Sequence, residues 1–337
     1  LPGNNFNTVL YDDGAGAKTG VGFQPDLVWV KSRGSAKDHK LTDAVRGVTK
    51  AIVPNDDTAE TTDSTGLTAF GTDGFTVGAD TDYSDTTGAG MVAWNWKAGG
   101  ATTVTNTDGY LESEVSANTT AGFSIVTYTG DGGVGPTPTV GHGLSQAPEL
   151  IIAKNLDTTV DWGNYNIVLG PTKAIFLNTD VAPITSANYW ADVTPTSSVF
   201  TAGYTDVTNG VGDDMIAYCF HSIEGYSSVR VYIGNADADG TFVYLGFRPA
   251  FLLLRECNVQ DDWGMYDNKR KGYNDDSGGN QLIYANYDQA EEGGTTRAID
   301  LLSNGFKLRT SNATFNPDGH VLCLAFAESP FKYSNAR

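Results

Sequence analysis

A proline, one spacer, four apolar residues and a basic residue recur three times in this 337-residue chain. The runs are Pro25 to Lys31, Pro148 to Lys154 and Pro249 to Arg255. A proline turn feeding a short apolar run is the signature of a strand buried on both faces. A periodic pattern of this kind has to be explained before any single motif, because it sets the architecture.

Other landmarks keep the same order. Asp38, Asp161 and Asp262 follow the three basic residues at one constant interval. Two of them continue as Asp161-Trp162-Gly163 and Asp262-Trp263-Gly264, and the first as Asp38-His39-Lys40. Short segments then end in Asn55, Asn178 and Asn286. Aromatic segments start at Phe75, Phe200 and Phe306, and apolar runs start at Met91, Met215 and Val321. Each repeat also opens on a run ending in tyrosine, at Tyr11, Tyr128 and Tyr232. The order predicts three tandem homologous units, at 1–98, 120–222 and 226–337, with a linker over 99–119. The linker is rich in Gly, Thr and Asn and leaves the first junction free to hinge, whereas the second junction is short. Short strands separated by turn residues predict an all-β fold, each unit a jelly-roll-like β-sandwich. Val28, Ile151 and Leu252 are expected at equivalent central sites, with Trp94, Tyr218 and Leu324 equivalent in the closing strands. Lys31, Lys154 and Arg255 are expected at the sheet edge, reaching water.

Composition narrows the function classes. Forty acidic against 21 basic residues give a net charge of −19, which argues against nucleic acid as partner. There is no apolar stretch long enough for a membrane-spanning helix. Three scattered cysteines do not form a disulfide framework and read as buried free thiols. Leu1 in place of methionine is consistent with a longer parent or a trimmed terminus.

The residues that carry chemistry are sparse. His39, His142, His221 and His320 form no metal-binding pair, and there is no nucleophile elbow and no phosphate-binding loop. Acidic loops at 55–63, 80–85, 235–240 and 273–280 have oxygen ligands suited to Ca²⁺ but lack a complete calcium-loop pattern, so they read as solvated turns. The sequence therefore predicts no catalytic residue, no metal and no cofactor. Trp162, Trp190 and Trp263 are the candidate glycan-binding residues, if their rings are exposed to stack on sugars. The competing expectation is that each plugs the core of its own unit.

These landmarks resemble a family of virion proteins of tailed phages, common in marine phages. The resemblance rests on Gly22 to Lys31, His39, Asp43 to Gly47, Gly74 to Gly78 and Val92 to Gly100, with a similar ending over 325–337. It covers nearly the whole chain and is closest in the first unit; the second and third lack the Val-Arg-Gly run and the paired tryptophans. It implies a non-enzymatic structural protein on the virion surface, assembled in the host cytoplasm and extracellular when mature. A tail fibre or related appendage acting in host adsorption is expected first. A capsid decoration or head-fibre protein, or a lectin-like module, is the alternative. The expected partners are other virion proteins, a host-surface glycan and further copies of the chain, as a trimer before a dimer, with no membrane insertion.

Overall fold

The computed structural model describes residues 5–328 apart from 13, 89 and 271–280. The loop 273–280 and most of the ending 325–337 lie outside the described residues. The fold is all-β, in antiparallel sheets. Its helices, among the described residues, are single turns at Ala187–Trp190, Asp206–Asn209 and Thr295–Arg297.

Three larger sheets share one strand order. In the first, the opening strand Phe6–Tyr11 pairs with the closing strand Met91–Trp96, then come Leu27–Ser32 and Lys40–Asp43. The second contains the same series as Phe123–Thr129, Asp214–Phe220, Leu150–Asn155 and Gly163–Asn166. The third contains it as Ser227–Ile233, His320–Ala327, Pro249–Glu256 and Trp263–Asp267. The register recurs too. Trp29 lies opposite Trp94, Ile152 opposite Tyr218, and Leu253 opposite Leu324.

The proline-led strands are apolar throughout because each separates two cores. Leu27 and Trp29 face a large core shared by all three sheets, as do Leu150, Ile152, Phe251 and Leu253. The alternate residues face smaller cores, one per sheet: Val28 and Val30, Ile151 and Ala153, Leu252 and Leu254. A smaller sheet covers each of these outer faces. The first is Gly16–Thr19 with Gly74–Val77 and Leu67–Gly71, and the second is Thr139–Gly141 with Val199–Thr201. The third is Phe242–Tyr244 with Gly305–Leu308 and Ile299–Leu302. In the shared core, Phe6, Trp96, Phe251 and Phe326 pack with ring centroids 4.9–6.4 Å apart, joining the first sheet to the third.

Two expectations are corrected. The stretch 99–119 is no hinge. Val104–Asn106 and Ser113–Asn118 are strands that extend the second sheet beyond its opening strand, and Leu111 and Val115 enter its outer core. Its polar, Thr-rich composition hid this, because two of the three residues buried in Ser113–Asn118 are serines. The basic residues Lys31, Lys154 and Arg255 do not reach water; all three are buried. Lys31 Nζ donates to the carbonyls of Ser32 and Ser35 at 2.8 and 3.1 Å, and Lys154 Nζ to those of Asn155 and Thr158 at 2.7 and 3.2 Å. Arg255 Nη2 donates to the carbonyls of Asp180 and Val181, in the second sheet's part of the chain. Each cation is held by backbone carbonyls, those of the following turn for the two lysines. Burial pushes Lys31 and Lys154 down to about 8, against the pull of nearby aspartates.

Candidate functional site

The three candidate tryptophans are interior. Trp162, Trp190 and Trp263 are at most 1% exposed. A sugar needs an open ring face, so burial removes these indoles as glycan platforms. Trp190 packs against Tyr165 in the second sheet's outer core. Trp162 and Trp263 do something the sequence did not reveal, since each reaches out of its own repeat.

Trp162 Nε1 donates to the Val53 carbonyl at 2.9 Å, and Trp263 Nε1 to the Phe176 carbonyl at 2.7 Å. His39, at the same place in the first repeat, bonds the Tyr284 carbonyl through Nε2 at 3.0 Å. Val53, Phe176 and Tyr284 are themselves equivalent, two residues before Asn55, Asn178 and Asn286. The links therefore run cyclically: second sheet to first, third to second, first to third. The asparagines set this geometry. Asn55 Oδ1 accepts from His39 N, Asn178 Oδ1 from Trp162 N and Asn286 Oδ1 from Trp263 N. Their amide nitrogens donate to Asp38, Asp161 and Asp262 at 2.8–3.0 Å. The recurring Asp and Asn landmarks are thus a clip that aims the buckle residue at the neighbouring sheet. Gly264 follows its tryptophan because a Cβ there would come within 2.2 Å of the Phe315 ring.

A second cyclic element is a buried ion pair. Asp43 accepts from Arg46 Nε, from two backbone N–H groups and from the Tyr218 hydroxyl. Asp267 accepts from Arg270 Nε, from two backbone N–H groups and from Trp94 Nε1. The Tyr218 and Trp94 donors come from the closing strand of a different sheet. In the third such position Asn166 replaces the aspartate, Leu169 the arginine and Leu324 the aromatic donor, so all partners change together. Sequence reading missed the third-repeat pair, although the Asp-x-x-Arg spacing of Asp43 and Arg46 recurs in Asp267 and Arg270.

The acidic loops that suggested Ca²⁺ close on themselves where they are described. Asp56 and Asp80 accept backbone N–H groups two residues on, and Asp239 pairs with Lys307 at 2.9 Å. No group of three or more His, Cys, Asp or Glu is placed to hold a metal among the described residues. An open groove of about 400 Å³ is lined by Arg46, Glu60, Glu112, Glu114, Thr129 and Asp214, among others. Arg46 and Lys50 hold Glu60, and the hydroxyls of Thr103 and Thr105 hold Glu114 and lower its pKa. Exposed aromatic rings occur elsewhere. Tyr110 and Tyr204 flank the glycine-rich loop 131–136, where a Cβ on Gly133 or Gly135 would collide with them.

The buried histidines give a pH prediction. The indole N–H of Trp29 donates to His39 Nδ1 at 2.8 Å and the N–H of Leu144 to His142 Nδ1 at 3.1 Å, so both rings are neutral with the proton on Nε2. Burial holds His39 well below 6.5 and His142 at about 4. Below pH 6.5 the unfolded chain takes up protons that the folded chain refuses, so stability falls as pH drops from 6.5 towards 4. Urea unfolding at about pH 7.5 and about pH 5 is expected to differ by about 4 kcal/mol, about 2 from each ring. His142→Gln is expected to flatten that difference, and an unchanged slope would contradict the assignment. Burial raises Asp26 and Asp261, which oppose the trend lower down, so the upper window is the informative one.

No curated protein and no solved structure matches the chain. One family does, over residues 1–330, a span that runs through all three large sheets. The chain belongs to the family described as domain of unknown function DUF7483.

Proposed function

We propose that the protein is a structural component of a phage virion, a tail fibre or related surface appendage acting in host adsorption, and that it is not an enzyme. In this reading it is three homologous β-sandwich units, each a large sheet with its small covering sheet. The observation that carries the reading is the run of motifs from Gly22 to Lys31, Asp43 to Gly47, Gly74 to Gly78 and Val92 to Gly100, and its resemblance to tailed-phage virion proteins. The shared core and cyclic buckles support it, because they make a stiff block out of short strands. Contact with a host glycan falls in this reading to exposed rings such as Tyr110 and Tyr204 rather than to the buried tryptophans.

A capsid-decoration role is the second reading, favoured by the threefold recurrence of sheets around one core. Such a chain could occupy a threefold position on a shell as a single copy. Quantitative mass spectrometry of purified virions, with antibody labelling in the electron microscope, tests both. Few copies at the tail support the appendage. Copies in fixed ratio to the shell protein support decoration. Absence from purified virions would end both readings.

A further inference from the structure

The second and third large sheets differ at one edge. In the second, the opening strand Phe123–Thr129 is covered by Ser113–Asn118, with Val115 opposite Val126. The same segment reaches the small covering sheet, where Leu111 N donates to the Thr139 carbonyl at 2.9 Å and Ser113 Oγ to the Gly141 carbonyl at 2.8 Å. The open side of that sandwich is thereby closed. In the third sheet the junction 222–226 is only a turn and supplies no such strand. The opening strand Ser227–Ile233 is outermost there; Ile223 bridges Ser227, Ser222 Oγ bonds Val229 and Thr241 Oγ1 donates to the Ile233 carbonyl, so among the described residues its outer backbone is open around Val231.

That edge is directed outward and is apolar. Val229 N donates to Ser222 Oγ rather than to the closing strand, so its backbone points away from the sheet, and Val231 points with it by the two-residue period. Tyr232 and Val243 fill the core between the two sheets. Their neighbours therefore turn outward: Val231 is 36% exposed, Ile233 57%, Phe242 42% and Tyr244 57%. Arg230 stands where the second sheet has the buried Val126, and it donates to the Tyr244 carbonyl, where the covered sheet uses Ser113.

We propose that this edge is a docking site for an extended strand of another polypeptide, added antiparallel alongside Arg230–Ile233 in the register that residues 113–115 take on the second sheet. The register specifies the occupant. Residues facing Val231 and Ile233 should be apolar where the chain's own covering strand has Glu114 and Glu112, and the residue facing Arg230 should carry a carboxylate where that strand has Val115. A second copy of this chain does not fit, because its covering strand is already used and each copy carries a net charge of −19.

The test uses the full chain and two synthetic peptides. One copies residues 109–119; the other carries Glu112→Val, Glu114→Val and Val115→Glu. The altered peptide is expected to bind about tenfold more tightly than the copy and to slow amide exchange in 230–233 and 242–244. Val231→Pro blocks the edge without touching the paired side, and it should weaken binding about tenfold or more, as should Phe242→Ser with Tyr244→Ser. All these side chains are exposed, so unchanged thermal unfolding shows that the variants fold. Protection outside this edge, no binding, or equal binding by the variants would overturn the proposal. So would a dimer in light scattering that Val231→Pro dissolves, which would assign the edge to a second copy.

Discussion

Trp162→Ala and Trp263→Ala should each lower the free energy of unfolding by about 3–5 kcal/mol. Both indoles are fully buried in the shared core. Truncation leaves a cavity that short, paired strands cannot collapse to fill. It also strips the carbonyl of Val53 or Phe176 of a donor supplied by the next sheet. Trp162→Phe separates the two effects: most of the volume stays, the N–H is lost, and a cost of about 1–2 kcal/mol is expected. Trp190→Ala is the control. Its ring is as deeply buried but lies in the second sheet's own core, so it should destabilise without loosening the first sheet. Denaturant unfolding gives the energies, and amide exchange over 50–56 and 173–178 reads the neighbouring sheet. A Trp162→Ala loss below about 1 kcal/mol would show that the link does not bind the sheets together.

Asp267→Ala should cost about 3–5 kcal/mol, because it leaves the buried Arg270 guanidinium with only the longer 3.7 Å contact to Glu291 and strips the anion from its Nε. The Arg270 side chain is 1% exposed and lies 5.6 Å from the centre of the Trp94 ring, so water cannot replace the lost partner. The second sheet supplies the compensating change. There Asn166 and Leu169 occupy the two positions, and no charge is present. Asp267→Asn with Arg270→Leu should therefore recover most of what either single change loses. A double-mutant cycle measures the coupling, and a coupling near zero would mean that the pair contributes no more than its separate contacts.

The sequence showed the parts of this fold that are local. Proline-led strands, the Asp and Asn landmarks and the closing runs each have their own neighbourhood signal, and the observed register places Trp29, Ile152 and Leu253 alike. Contacts between repeats were not legible. Nothing near Trp162 indicates that its N–H is satisfied by Val53, and the sequence pointed to each tryptophan as a plug of its own unit's core before a glycan platform. Lys31 and Lys154 misled because a charge after an apolar run normally marks the way out to water. Here the turn that follows bends back, and its carbonyls take the ammonium. Residues 113–118 were hidden because two of the three residues buried there are serines.

The cyclic buckles have a consequence for how the chain is made. His39 leaves the ribosome 245 residues before its partner carbonyl at Tyr284. Phe6 likewise packs against Phe326. The first sheet therefore keeps one unfinished face until the strands of the third sheet are made, and the ring can close only then. Such late, long-range closure makes folding slow and leaves nascent apolar surface open to misassembly. Fragments holding one or two of the repeats would stay in that unfinished state, because the faces of the shared core are completed only by the strands of all three sheets.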